Sequence, residues 1–380
     1  MRKALTLLFL MALIFVTACE KNISTPDSTG GAASNKEANA GTTTGGKNAF
    51  KAVLLIPGTL GDKSFFDAAN AGLEKAKQTL GVETKVIEMG TDQTKYGPTL
   101  EDVAAQDWDL IISGGSQITE LMNAAAQNHP DKKFINYDTD IPELASNVYG
   151  VSYATNEVSF LAGATAALAS TSGLPNANPD KKIGFVGGMD IPGINAFLVG
   201  YIEGAKYVVP DIKVAISYAG DFANPGKGKE LSLLQYKSGV DVIFNVAGGT
   251  GLGVFDAAKD QKKYAIGVDS DQSAMMQGTD DEKANLIITS AIKKIDDVIL
   301  NAVKQAKDGS LPTGKLVVAG LLQGGVGLAE NNVYNSVLPE EARSKIKELT
   351  SKLASGEIKV SNAMGMDTAQ IEQIRQSVKP

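Results

Sequence analysis

The amino-acid sequence predicts an α/β protein with two similar lobes, each a doubly wound parallel sheet covered by helices. The first observation is an internal repeat: the motifs that begin at Lys51 recur in the same order from Lys182, offset by about 131 residues. That offset is too long for a solenoid repeat and matches one small α/β domain. The second observation is the alternation of short apolar runs with amphipathic stretches, which is typical of parallel sheets. Two like lobes in one chain predict a cleft between them.

The first lobe contains four short β-type runs, at 53–56, 85–88, 110–113 and 134–137. A helix is predicted after the first run, because Ala69, Leu73, Ala76 and Leu80 recur at steps of three and four residues. Open parallel sheets collect ligands beyond the carboxyl ends of their strands. The segments that follow the β runs are therefore the candidate functional loops.

The second lobe repeats this pattern, with β-type runs at 183–186, 213–217, 242–245 and 266–268. The helix after its first run has one apolar face, made of Ile194, Phe197, Tyr201, Ala205 and Val208. Two later runs, at 286–290 and 316–321, are predicted to return and complete the two sheets. The residues after Pro339 are predicted to form closing helices.

Residues 1–18 have the pattern of a signal peptide, with Arg2 and Lys3 before an apolar run that is short for a membrane span. The run 16–19, Val-Thr-Ala-Cys, resembles the lipobox of bacterial lipoproteins, so we expect Cys19 to be lipidated and to anchor the protein to a membrane. The alternative is an ordinary secretory cleavage site beside an accidental cysteine. Residues 19–48 are rich in Ser, Thr, Gly, Asn and Ala, which predicts a flexible tether.

Charge and composition exclude several classes of function. The chain has 36 basic and 43 acidic side chains, a formal net charge of −7, and loss of Arg2 and Lys3 with the signal peptide would make it −9. Such a protein lacks the positive surface that binds nucleic acid, so a nucleotide-like ligand would be a small molecule. Cys19 is the only cysteine, which excludes an intramolecular disulfide. With one histidine, His129, and no cluster of metal ligands, we expect no catalysis, no cofactor and no metal.

Asp138 and Asp269 occupy matching positions at strand ends in the two lobes. A pair of carboxylates can act as a general acid and base, and Asp at such positions often caps a helix. A carboxylate in a cleft can also accept hydrogen bonds from two adjacent hydroxyls, as in sugar binding. We favour this third use for Asp269.

The glycine-rich run 248–253 follows a strand and suggests a dinucleotide-binding fold at first sight. The spacing is wrong, because neither Gly249 with Gly251 nor Gly251 with Gly253 is followed by glycine three positions later. A tight turn whose amides face the cleft from a helix N-terminus suits the run better.

Phe65 and Phe222 lie in polar loops, one in each lobe, rather than on apolar stripes. Loop aromatics often just cover the local core. One aromatic ring from each lobe facing the cleft would instead form a sandwich for a flat ring, worth about 1–3 kcal/mol per face.

Together these features resemble the basic membrane lipoprotein family, the purine-nucleoside receptors of bacterial ABC importers. The matching motifs are Asp62-x-Ser64-Phe65 and the runs 160–163, 184–190, 247–251 and 268–272, with Thr289-Ser290 and Lys293. The resemblance implies a type I periplasmic-binding-protein fold whose chain crosses between lobes near residues 151, 274 and 312. It places 49–150 and 275–312 in the first lobe, and 151–274 and 313–380 in the second.

The resemblance also implies a binding site. Phe65 and Phe222 would stack on the purine and Asp138 would bond its edge, while Asp269 and Lys293 would hold the ribose beside Gly249. Ser64 and Asp67 complete the predicted ligand-binding set. Where the family pattern has Asn, this chain has Phe66. The base preference therefore stays open, and another flat ligand such as a flavin is an alternative.

The predicted protein is a monomeric, lipid-anchored, extracytoplasmic receptor that closes on a nucleoside and delivers it to a permease and ATPase complex. There are two alternatives, a surface sensor or adhesin that uses the same fold, and an enzyme that acts on nucleosides.

Overall fold

The computed structural model describes residues 49–139 and 141–380. The predicted signal peptide, Cys19 and the whole predicted tether to residue 48 lie outside the described residues. Among the helices of the described part, none combines the length and apolar character that a membrane crossing requires.

The described residues form twelve strands. They are β1 (Lys51–Ile56), β2 (Glu83–Glu88), β3 (Leu110–Ser113), β4 (Lys133–Asn136), β5 (Val148–Tyr153), β6 (Lys182–Gly187), β7 (Lys213–Tyr218), β8 (Val242–Val246), β9 (Tyr264–Asp269), β10 (Ile287–Lys293), β11 (Lys315–Ala319) and β12 (Val326–Leu328).

The α-helices of the described part are α1 (Phe65–Leu80), α2 (Tyr96–Ala104), α3 (Ser116–Asn128), α4 (Thr155–Thr171), α5 (Pro192–Val208), α6 (Pro225–Lys237), α7 (Leu252–Gln261), α8 (Gln272–Met276), α9 (Asp281–Ala284), α10 (Ile295–Lys307), α11 (Asn332–Val337), α12 (Glu340–Ala354) and α13 (Thr368–Ser377). Short 3-10 turns lie at Gln93–Lys95, Gly248–Gly251 and Ala363–Gly365.

Two six-stranded sheets form the two lobes, which confirms the predicted fold class. The first has the order β11-β5-β4-β3-β1-β2 and the second the order β12-β10-β9-β8-β6-β7. All neighbouring strands are parallel except the pair β10 and β12. The central strands are buried on both faces, because helices cover each sheet from both sides.

Helices α4 and α5 pack backbone to backbone on the second lobe, and glycine makes this possible. A side-chain carbon at Gly163 would lie 1.9 Å from the carbonyl oxygen of Tyr201, and one at Gly204 would lie 1.8 Å from that of Phe160. The motif at 160–163, which carried part of the family resemblance, is therefore explained by close helix packing rather than by ligand binding.

The chain crosses between the lobes three times, but two crossings come later than predicted. The first follows Tyr153, near the predicted residue 151. The second follows Lys293 rather than residue 274, because β10 still pairs with β9 of the second sheet. The third follows Ala319 rather than residue 312, because β11 pairs with β5 of the first sheet. The resemblance implied only approximate crossing points, and the sheet to which β10 or β11 belongs depends on pairing with strands far away in the sequence.

The second crossing leads into α10, which packs against α1 of the first lobe, while α12 and α13 pack against α4 and α5 of the second. The assignment of 275–312 to the first lobe is thus wrong for β10, which belongs to the second sheet. The assignment of 313–380 to the second lobe is wrong for β11.

Candidate functional site

A cavity of about 620 Å³ lies between the carboxyl ends of the two sheets. Its walls are the segments that follow β1, β3 and β4 in the first lobe and β6 to β9 in the second, as expected for parallel sheets. Six of the predicted ligand-binding residues line it: Phe65, Asp138, Phe222, Gly249, Asp269 and Lys293. The structure therefore brings together most of the set that the sequence predicted.

Lys293, at the end of β10, is the centre of a charged cluster that joins the two lobes. Its Nζ atom lies 2.9 Å from Asp138 Oδ2 of the first lobe and 3.4 Å from Asp269 Oδ1 of the second. Burial is the largest influence on the pKa of Lys293 and lowers it, but the two carboxylates together outweigh burial and raise the pKa above its usual value. The ammonium group is therefore charged although its side chain is only 5% exposed.

Three aromatic rings surround the same ammonium group. Lys293 Nζ lies 4.9 Å from the ring centroid of Phe65, 5.4 Å from that of Tyr153 and 5.5 Å from that of Phe197. Such distances allow cation–π attraction, which strengthens in a desolvated site. Sequence reasoning missed Tyr153 and placed Phe197 only on an apolar helix face. The available signal was that Tyr153 is the last residue of β5 and that Phe197 lies in the second turn of α5, whose N-terminal end lines the cavity.

Asp269 ends β9 in a left-handed backbone conformation, with φ of +64°. Such a conformation in a residue other than glycine costs about 1–3 kcal/mol and is concentrated at functional sites. Asp269 Oδ2 accepts a hydrogen bond of 2.6 Å from the Ser64 hydroxyl of the first lobe. Ser64 is fully buried and does not line the cavity. It therefore orients Asp269 and ties the lobes together rather than facing a ligand.

Asp62 and Asp67 shape the loop that carries Phe65. The Asp62 carboxylate accepts backbone N–H bonds from Ser64 and Phe66, both 3.0 Å, and from Asp67, 3.1 Å. The two Asp67 carboxylate oxygens accept backbone N–H bonds from the Gly61 and Lys63 positions, both 2.8 Å. Asp67 does not line the cavity, so the structure places it as a loop-stabilising residue.

Asp62 itself lines the cavity and was not in the predicted ligand-binding set, although its motif was recognised. It is 5% exposed. Burial raises the pKa of Asp62 to about 6, against the opposing effect of its three backbone hydrogen bonds.

Two glycines allow two of the aromatic rings to lie close against the backbone of the cavity wall. A side-chain carbon at Gly188 would lie 2.3 Å from the Phe222 ring, and one at Gly58 would lie 2.4 Å from the Phe66 ring. Both rings line the cavity and are half-buried. Phe66 is thus a wall of the site, at the position where the sequence departs from the resembling family.

Gly249 lies in the 3-10 turn after β8, where the lobes approach each other. A side-chain carbon there would lie 3.2 Å from the carbonyl oxygen of Phe222 and 3.8 Å from Asp62 Cβ of the first lobe. A larger residue would narrow the cavity at this point.

Carboxylates outnumber ammonium groups on the described cavity wall. Asp62, Asp138, Asp221 and Asp269 line it, against Lys293 as the single basic side chain there. A wall of this kind accepts hydrogen bonds from a ligand and repels an anion. Across the described residues, no group of three or more His, Cys, Asp or Glu side chains is arranged to hold a metal ion.

Comparisons with known proteins identify the family that shares this architecture. The family model described as ABC transporter substrate-binding protein PnrA-like (Bmp) matches residues 49–363. The ABC transporter nucleoside-binding protein BmpA of Lactococcus lactis subsp. cremoris is 33% identical over 320 residues, covering 80% of this chain and 87% of that protein. Basic membrane protein A of Borreliella burgdorferi is 30% identical over 312 residues, covering 81% and 86%.

A crystal structure of an ABC transporter solute-binding protein from Aeropyrum pernix superposes with a TM-score of 0.76 at 25% identity, covering 87% of this chain and 97% of that one. The Lactococcus and Aeropyrum proteins are named as binding proteins of ABC transporters rather than as enzymes. The chain therefore belongs to the Bmp family of PnrA-like ABC transporter substrate-binding proteins.

Proposed function

We propose that this protein binds a purine nucleoside in the cleft between its lobes and delivers it to an ABC permease. The observation that carries the proposal is the Lys293 cluster, which links both lobes through Asp138 and Asp269 beside the rings of Phe65 and Phe222. A relative that is 33% identical over 320 residues is named as a nucleoside-binding protein, which supports this ligand class.

The base binds between aromatic side chains in this proposal. Phe65 from the first lobe and Phe222 from the second line the same cavity. Stacking on each face contributes about 1–3 kcal/mol and tolerates different bases. Asp138 contacts the edge of the base, which the Phe66 wall also borders.

The sugar binds at Asp269 and Lys293 beside Gly249. The Oδ1 atom of Asp269 forms an ion pair with Lys293 Nζ at 3.4 Å but accepts no hydrogen bond from the described residues, so it can accept one from a ligand hydroxyl. Lys293 donates one hydrogen bond to Asp138 and has further N–H groups for the sugar. Because carboxylates dominate the wall, a neutral nucleoside binds better than a nucleoside phosphate.

The rest of the proposal concerns location and partners. Cys19 is lipidated, residues 20–48 tether the binding domain to the membrane, and the domain faces the extracytoplasmic side. The partners are the permease and its ATPase, with no role for nucleic acid, and the protein acts as a monomer.

The test is calorimetric titration of the detergent-solubilised full-length protein with inosine, adenosine, hypoxanthine, inosine monophosphate and riboflavin. We expect a nucleoside dissociation constant near or below micromolar, about −8 kcal/mol, with much weaker binding of the monophosphate. The nucleoside should be recovered unchanged. Binding of riboflavin without nucleoside binding, or release of free base, would contradict the proposal.

A further inference from the structure

Tyr153, at the end of β5, has a buried polar atom that its surroundings do not satisfy. The residue is 5% exposed and lines the cleft cavity. Its hydroxyl makes no hydrogen bond with any residue in the described part of the chain. A buried hydroxyl without a partner is costly, so such a group on a residue that lines a ligand cavity points to a contact that the ligand completes.

The position of Tyr153 indicates which part of a ligand it faces. Its ring centroid lies 5.4 Å from Lys293 Nζ, and Lys293 in turn lies 3.4 Å from Asp269 Oδ1. These two charged residues hold the sugar in the proposed function. Tyr153 therefore borders the sugar-binding end of the cavity.

The phenol is able to donate a hydrogen bond there. Burial, followed by the negative charge of Asp138, holds the pKa of Tyr153 well above its usual value. The hydroxyl thus keeps its proton at neutral pH and can both donate and accept. A sugar hydroxyl, which also donates and accepts, is a matching partner.

We infer that the Tyr153 hydroxyl is a further specificity-determining contact, which hydrogen-bonds to a hydroxyl of the bound sugar. This inference rests on the proposed nucleoside function. In this inference, the sugar is recognised by Tyr153, which precedes the first crossing between the lobes, as well as by Asp269 and Lys293 of the second lobe.

The test is Tyr153→Phe in the full-length protein, which removes only the hydroxyl oxygen. Inosine affinity should fall by about three- to tenfold, the effect of one neutral hydrogen bond. The melting temperature without ligand should stay the same or rise, because an unsatisfied buried group has been removed. A fall in that melting temperature would show that the hydroxyl has a structural partner, and would overturn the inference.

Tyr201→Phe is the matched control. Tyr201 on α5 also has a buried hydroxyl without a hydrogen-bond partner in the described residues. Its ring packs against Phe244 in the core of the second lobe, and the residue does not line the cavity. Inosine affinity should be unchanged in this variant. An equal loss of affinity in both variants would overturn the inference, because the effect would then come from the core.

Deoxynucleosides identify the partner hydroxyl. Both proteins are titrated with the 2′-, 3′- and 5′-deoxy forms of inosine, and one of these should bind the unaltered protein and Tyr153→Phe equally well. A loss of the same size for all three would overturn the assignment to the sugar. Inosine binding that is unaffected by Tyr153→Phe overturns this inference alone, whereas no inosine binding to the unaltered protein overturns the proposed function with it.

Discussion

In the proposed function, Asp269 contacts the sugar and not the base, so its substitution separates recognition of the two. Its left-handed backbone and its bond from Ser64 fix the carboxylate at the end of β9. Asn tolerates the same backbone conformation, so Asp269→Asn changes charge with little strain. We expect inosine affinity to fall by between about ten- and a hundredfold in this variant, since bonds to a charged group are lost, with hypoxanthine affinity nearly unchanged.

Phe222→Ala provides the contrasting variant for this prediction, measured by the same calorimetric titration. Loss of a stacking face should weaken inosine and hypoxanthine by a similar factor, because stacking does not depend on the sugar. Equal losses for both ligands in Asp269→Asn would contradict the role assigned to that residue.

Asp62 gives the fold a predictable dependence on pH. Its pKa is about 6 in the folded protein and 3.8 when unperturbed, so the folded state binds the proton more tightly. Stability from this group is therefore present below about pH 4 and is lost as pH rises through about 6. Relative to Asp62→Asn, the unaltered protein should lose up to about 3 kcal/mol of unfolding free energy between pH 4 and 7. Urea denaturation of both proteins across this range measures the difference, and a constant difference would contradict the assigned pKa.

At the scale of elements, the contact between α4 and α5 depends on the absence of side chains. Gly204→Ala would place a carbon 1.8 Å from the Phe160 carbonyl oxygen, so the helices must separate. We expect the free energy of unfolding, measured by denaturant titration, to fall by about 1–3 kcal/mol, which is the usual cost of overpacking. Gly193→Ala on the same helix has no atom within 4 Å of the added carbon and serves as the control. Similar stability of the two variants would show that the contact is not tight.

The sequence predicts where strands and helices lie better than it predicts which of them pair or pack together. Strand runs, the repeat and the strand-end loops follow from local composition. They predict the two sheets and the cleft, and six of the eight residues predicted to bind ligand line the cavity. The lobe of β10 depends on pairing with β9, which periodicity cannot reveal. The role of Asp67 depends on backbone N–H groups of its own loop, and the rings around Lys293 come from distant parts of the chain.

At the scale of the whole molecule, the structure shows the lobes in contact across the cleft. Ser64 bonds to Asp269, Asp138 pairs with Lys293, and Gln117 Nε2 lies 3.6 Å from Met189 Sδ. Ligand binding should favour this closed arrangement, with rotation absorbed at the three crossings. X-ray scattering should therefore show a smaller radius of gyration at saturating inosine. Phe222→Ala at the same inosine concentration should show less compaction, and an unchanged radius for the saturated unaltered protein would count against closure.

The proposed membrane anchor is tested on the same scale. Cys19→Ser should leave the precursor uncleaved or release the protein from the membrane fraction, because acyl chains hold the protein there. Metabolic labelling with a radioactive fatty acid should mark the unaltered protein and not the variant. Lack of label on the unaltered protein would refute lipidation.

The interlaced path of the chain also constrains the order in which the molecule can be assembled. The first sheet lacks its edge strand until residues 315–319 are made, and the second lacks β12 until residue 328. A ribosome makes the N-terminal lobe first, and separate domains usually fold in that order. Here neither sheet is complete until more than four fifths of the 380 residues exist, so both lobes finish folding together, late in synthesis. A single cut in the chain consequently cannot yield two intact halves.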